Sequence, residues 1–155
     1  MSSYSGIATM IFTFITVFAS PLIGAESNGS SAMVVPQFFE EAKKNTHWKT
    51  AFATGKSEQI IFMYVSPATN PANEIGEEVH PFDQVILIVE GEAKAVLNGE
   101  TSAVKGGDMI FIPQGVKHNV INSNLNIGLK LISFYSATDI PKGAVYKMKS
   151  DQSKD

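Results

Sequence analysis

The chain has 155 residues, a hydrophobic fraction of 44% and a formal net charge of −3, as expected for one domain of ordinary size with a hydrophobic core. Its charges are scattered and form no basic stripe, which argues against nucleic acid as a partner. Because cysteine is absent, disulfides, thiolate nucleophiles and thiolate zinc sites are excluded.

All twelve basic residues are lysines. Arginine is the usual planar partner of carboxylates and phosphates. An anionic substrate must therefore be held in another way, and phosphosugars and diacids are disfavoured. A lysine-biased genome explains the same composition, and both explanations stay open.

An uncharged apolar stretch covers residues 6–25, and the first lysine is Lys43. The stretch ends in small residues before a polar segment, which is typical of a secretory signal peptide at residues 1–25. We therefore expect an exported protein, periplasmic or secreted, that is cleaved near Ala25 and has no stable membrane association afterwards. The stretch is also long enough for an uncleaved membrane anchor, and that alternative stays open.

A linker and a short helix are predicted at residues 26–46. Pro36 suits the first helical turn, and acidic residues precede lysines in the order that the helix dipole favours. The helix is expected around residues 36–45, with Phe38 and Phe39 packed on the rest of the domain.

From residue 58 onward, short apolar runs alternate with turn residues. Asn98-Gly99 is a strong signal for a tight hairpin. The predicted strands cover residues 58–65, 84–89, 93–97, 101–105, 109–112, 116–122 and 129–135. This rhythm predicts an all-β sandwich or barrel, which we place at residues 47–149 and expect a polar tail, residues 150–155, to follow.

The predicted strand at residues 85–89 (VILIV) is apolar on both faces. One face must look into the barrel, and a second sheet, a helix or another subunit must cover the other. A homodimer and two-sheet packing within the monomer both satisfy this requirement.

Two of the three histidines lie in segments that suit a metal site. Pro113-x-Gly115 makes a turn into a strand on which His118 and Asn122 share a face. Glu78 and His80 point to the same side of an extended segment, and Gln84 opens the next strand. These side chains can converge as a mixed nitrogen and oxygen set suited to Zn, Fe(II), Ni or Mn. His47 lies before the first predicted strand and is expected to be structural.

The later segment, Gly107…Pro113-x-Gly115-x-x-His118-x-x-x-Asn122, resembles the second motif of the cupin superfamily at every signature position. The stretch from about residue 45 to residue 149 is also similar to small single-domain cupins of the conserved-barrel type, through segments such as IVEGEAKAVLNGE and IPQGVKHNVIN.

The earlier segment, Glu78-x-His80-x-x-x-Gln84-x6-Gly91, resembles the first cupin motif, whose usual form is His-x-His-x(3,4)-Glu-x6-Gly. Counted back from Gly91, Gln84 takes the place of the family's glutamate and Glu78 that of its first histidine. Gln84 can then ligate a metal or orient a water or substrate. Glu78 can be a ligand or a general base.

The resemblance implies a cupin jelly-roll barrel with a short N-terminal helix and one divalent metal ion (Zn, Fe, Mn or Ni). Its expected ligands are Glu78, His80, Gln84 and His118. It also implies a metal-dependent enzyme of the isomerase, lyase or dioxygenase type that acts on a small oxygenated molecule. The metal would polarise a carbonyl or enol, and Glu78 or Tyr135 would move the proton. Two alternatives are an exported, non-enzymatic ligand-binding module and a metal-free dimeric barrel.

Overall fold

The computed structural model describes residues 32–154. The signal segment predicted at residues 1–25 lies outside the described residues, as does the first part of the linker. Helix α1 (Phe38–Lys44) precedes the strands. The strands are β1 (Lys49–Thr54), β2 (Gln59–Val65), β3 (Gln84–Glu90), β4 (Glu92–Leu97), β5 (Glu100–Lys105), β6 (Met109–Ile112), β7 (His118–Asn122), β8 (Leu129–Tyr135) and β9 (Val145–Tyr146). A 3-10 helix, Lys149–Lys154, follows them.

Two antiparallel sheets contain these strands, one with the order β6-β3-β8-β2-β1-β9 and the other with the order β5-β4-β7. Their facing sides share one core, which includes Ile61 and Ile86 of the large sheet and Ala95 and Val120 of the small one. The arrangement confirms the predicted all-β jelly-roll barrel with a short N-terminal helix.

Strand β3 is apolar on both faces because both of its faces are covered. Ile86 and Ile88 lie in the barrel core, whereas Leu87 and Val89 pack in a second cluster around Ala42 of α1. The helix therefore covers at least part of the outer face of β3. Of the two phenylalanines predicted to pack on the rest of the domain, Phe38 packs in this second cluster, but Phe39 is 53% exposed.

The sequence patterns do not predict strands β1 and β9 or the 3-10 helix. β1 lies between β2 and β9, with Lys49 opposite Met63 and Tyr146, and most of the segment expected as a polar tail forms the 3-10 helix. Within the described range, no helix is long and apolar enough to cross a membrane.

Candidate metal centre

The two motif segments meet as direct neighbours. Glu78 and His118 exchange both of their backbone hydrogen bonds, each with an N···O distance of 2.9 Å. Residues paired in this way in antiparallel structure carry their side chains on the same face. The pairing thus places the Glu78 carboxylate beside the His118 imidazole at the start of β7.

His80 completes the cluster. Its Nε2 atom lies 3.2 Å from Oε2 of Glu78, and the same oxygen lies 4.0 Å from Nε2 of His118. The Gly115 amide, in a turn with a φ of 79° that favours glycine, donates to the His80 carbonyl. One ligand atom from each of Glu78, His80 and His118 lies within 4.8 Å of the others, and His47 is not part of this group.

The environment of His118 fixes which of its nitrogens is free. Nδ1 lies 2.9 Å from the Val116 carbonyl oxygen, which can only accept a hydrogen bond, so Nδ1 carries the proton. In the neutral ring, Nε2 then holds a lone pair. Nε2 is buried and has no hydrogen-bond partner among residues 32–154, which is the state required of a metal-ligating imidazole.

In Gln84, as in His118, one polar atom of the side chain is hydrogen-bonded and the other has no partner within the described range. Its amide nitrogen donates to the Ser133 hydroxyl at 2.8 Å, whereas its Oε1 atom is buried and lacks a partner within the described range. The register of the large sheet pairs Gln84 with Tyr135 of β8. An unpaired amide oxygen can ligate a divalent ion or orient a water, so both predicted roles for Gln84 stay open.

A buried lysine faces the cluster, and the sequence motifs did not reveal it. The Lys49 side chain is 2% exposed, and its Nζ atom lies 3.4 Å from Oε1 of Glu78. Burial by itself would raise the pKa of Glu78, but the hydrogen bond with His80 and the electrostatic interactions with Lys49, His80 and His118 lower it overall. Glu78 is therefore a carboxylate at neutral pH.

Tyr135 lies beside the His80 imidazole. Its ring centroid is 5.4 Å from that of His80 and 5.1 Å from that of Phe82, which stacks on His80 at 4.7 Å. Burial, followed by the negative charges of Glu78 and Asp139, raises the pKa of Tyr135 above its ordinary value. The phenol is therefore protonated and suited to donate a hydrogen bond.

Asn122, the last position of the second motif, has a structural role. Its amide nitrogen lies within hydrogen-bond distance of the carbonyls of Val65, Ser66 and Ile127, and its Oδ1 accepts from the Asn124 amide. With both ends of its side chain engaged, Asn122 ties the loop after β7 to the end of β2.

The donor set suits a divalent cation. Two imidazoles and a carboxylate are ligands for Zn, Fe, Mn and Ni, and the buried, unpaired Nε2 of His118 gives the ion a ready ligand. The structure brings Glu78, His80 and His118 together as predicted and places Gln84 and Tyr135 next to each other on paired strands.

This fold and site define a small β-barrel protein with a histidine and carboxylate cluster that can hold a metal ion. Residues 69–135 match the family model of the cupin domain, which identifies this segment as a cupin domain. A solved structure, the protein BH2720 of Bacillus halodurans, matches with a TM-score of 0.76 and 29% identity over 83% of this chain and 98% of the other.

Two sequence relatives bear the name of uncharacterized proteins. YrkC of Bacillus subtilis is 35% identical over 117 residues, which cover 70% of this chain and 60% of that protein. L612 of Acanthamoeba polyphaga mimivirus is 35% identical over 111 residues, which cover 68% of this chain and 66% of the other. The chain thus spans somewhat less than two thirds of each relative.

Proposed function

We propose that Glu78, His80 and His118 hold one divalent metal ion, with the amide oxygen of Gln84 as a weaker fourth ligand. The observation that carries this proposal is the Nε2 atom of His118, which is buried, unprotonated in the neutral ring and without a partner among residues 32–154. A histidine that only filled the core would leave a polar atom unsatisfied at a cost in stability. A metal ion removes that cost.

The proposed activity is that of a metal-dependent enzyme acting on a small oxygenated molecule, as an isomerase, lyase or dioxygenase. The bound ion would supply Lewis-acid polarisation of a carbonyl or enol. The protonated phenol of Tyr135 would donate a hydrogen bond to the oxygen that becomes negative. Glu78 is better suited to be a metal ligand than a general base, because a carboxylate with a lowered pKa accepts protons poorly.

A non-enzymatic ligand-binding module is the second candidate. It is favoured by the weak basicity of Glu78 and by the raised pKa of Tyr135, since neither predicted proton-transfer residue is an effective base at neutral pH. Such a module would use the same metal site to capture a small ligand. Export with cleavage near Ala25 and assembly as a homodimer stay predictions for either function.

The metal proposal is tested by titrating chelator-treated protein with Zn, Mn, Fe(II) and Ni, followed by desalting and elemental analysis. We expect one ion per chain for at least one metal. His118→Ala and His80→Ala should abolish binding, whereas Gln84→Ala should only weaken it, because a neutral amide oxygen is the poorer ligand. His47→Ala is the matched control, since this histidine lies outside the cluster.

Binding of less than about a tenth of an equivalent of every metal would overturn the proposal, because a preformed set of ligands should retain its ion. Unchanged binding in His118→Ala would show that the ion lies elsewhere. Enzyme and binding module are then separated with the metal-loaded protein. A small molecule that binds and is recovered unchanged favours the module, and one that is converted favours the enzyme.

A further inference from the structure

The inside of the barrel contains one lysine ammonium with few partners. Lys49 points inward from β1, and Oε1 of Glu78, at 3.4 Å, is the one hydrogen-bond acceptor that it contacts among residues 32–154. The Trp48 ring centroid lies 5.8 Å from Nζ. An ammonium group has three donors, so two of them lack a protein acceptor in this part of the chain. Since burying a charge without full compensation is costly, the lysine calls for a functional explanation.

The charge of the cluster indicates what the missing partner is. Glu78 is the only carboxylate in the group that can hold a metal, and it already faces Lys49. A divalent ion would add two positive charges, whereas imidazole and amide ligands add none. The loaded centre would therefore carry two uncompensated positive charges inside the barrel. Asp139, whose charge acts on Tyr135, is exposed and compensates this excess weakly.

The cluster can be reached from solvent on the side of Glu78 and His80. Their side chains are 22% and 13% exposed, whereas those of His118 and Lys49 are at most 2% exposed. The two oxygens of Glu78 divide the site, with one facing Lys49 and the other facing the imidazoles. The Lys49 ammonium thus contacts one proposed metal ligand directly and is separated from the two imidazoles by the Glu78 carboxylate.

We propose that Lys49 is the anion-binding residue of this site and that the ligand is a small carboxylate with an oxygen on the adjacent carbon, such as a 2-oxo or 2-hydroxy acid. The carboxylate would accept a hydrogen bond from Nζ of Lys49 and offset the excess positive charge. The neighbouring oxygen would lie among the metal ligands. This inference rests on the proposed metal function and gives it a substrate class. Because the chain has no arginine, Lys49 takes the role of binding the carboxylate of the ligand.

The test compares pyruvate and lactate with their neutral amides, pyruvamide and lactamide, by calorimetry on the metal-loaded protein. The wild type should bind each acid at least about tenfold more tightly than its amide, as expected for a charge-assisted hydrogen bond. In Lys49→Met the preference for the acid should disappear while the metal content stays at one ion per chain. Lys149→Met is the matched control, because Lys149 contacts the Trp48 ring but bonds to the Glu74 carbonyl instead of the cluster.

Each outcome decides between the proposals. A Lys49→Met protein that holds its metal and keeps the preference for the acids would overturn the role of Lys49. A metal-loaded wild type that prefers neither acid would overturn the substrate class and leave the metal site standing. A wild type that binds no metal would overturn the metal site and this inference with it. If Lys49→Met does not fold, Lys49→Gln replaces it, since the amide keeps hydrogen-bonding capacity but has no charge.

Discussion

The two faces of the large sheet are built from opposite chemistry. On the outer face, under α1, the Phe52 and Phe62 rings stack at 4.3 Å, and Phe38 lies 5.4 Å from Phe62. The inner face carries the buried polar side chains Lys49, Gln59, Gln84 and Ser133 among its aliphatic residues. The aromatic rings of the outer face have no polar atom to satisfy and can contribute stability at little cost. The inner face must find a partner for every buried polar atom.

The inner face itself separates structural from functional polar groups. Gln59 donates to Thr54 and to the Ile140 carbonyl and accepts from the amides of Asp139 and Ile140. Gln84 lies on the same face, on the other side of Tyr135 of β8, and is bonded at its nitrogen only. The two glutamines have the same burial, so burial alone does not identify a site. The unpaired Oε1 atom of Gln84 identifies the site, because a buried acceptor without a donor is unfavourable unless a ligand or ion binds to it.

The largest expected effect is a loss of stability from a substitution on the outer face, which should leave the inner face unaffected. Phe62→Ala, at a position that is 4% exposed, should lower the free energy of unfolding by about 3–5 kcal/mol, because it leaves a cavity under the helix. Chemical denaturation measures this change, with Phe39→Ala as the exposed control. The metal affinity of the folded Phe62→Ala protein should equal that of the wild type. A large loss of affinity would show that the two faces are not independent.

A smaller effect is expected at Glu78. If Glu78 is a ligand, Glu78→Gln keeps the shape but removes the negative charge, and metal affinity should fall by more than about tenfold, since even an outer-shell partner contributes that much. Metal titration measures it, with the exposed Glu77→Gln as control. Retained affinity together with lost turnover would assign Glu78 as a general base instead. Wild-type affinity together with wild-type activity would show that Glu78 is an ordinary charged residue without a role at the metal site.

The strands and the two motif segments could be predicted because their signals are local. Asn98-Gly99 marks the hairpin between β4 and β5, and the structure has the turn there, with both residues at positive φ. The apolar runs of β2, β3, β6 and β8 end within a residue of their predicted limits. The spacing around Glu78, His80 and His118 indicated a shared site, and the structure places their ligand atoms within 4.8 Å of one another.

Lys49 and the strand that carries it could not be predicted in the same way. In β1 the inward positions begin with Lys49 and continue with Ala51, whereas strand patterns are recognised by large apolar residues on the inner face. The partner of Lys49 is Glu78, 29 residues away, and only the closing of the barrel brings them together. A long-range ion pair of this kind leaves no periodic signal in a single sequence.

The smallest expected effect is a pH dependence that belongs to the inner face. The pKa of Glu78 is lower in the folded protein than the ordinary carboxyl value of about 4.3, so the folded state favours the carboxylate. Its contribution to stability is therefore complete above about pH 5 and is lost as the pH falls through the ordinary range to the lower folded-state pKa. The free energy of unfolding of metal-free wild type should thus fall more steeply as the pH is lowered from about 5 than that of Glu78→Gln. Denaturant titrations across this pH range measure the difference.

The control is Glu77→Gln, which replaces an exposed partner of Lys117 and should keep the wild-type slope. Equal slopes for wild type and Glu78→Gln would mean that Lys49 and the imidazoles do not stabilise the Glu78 carboxylate.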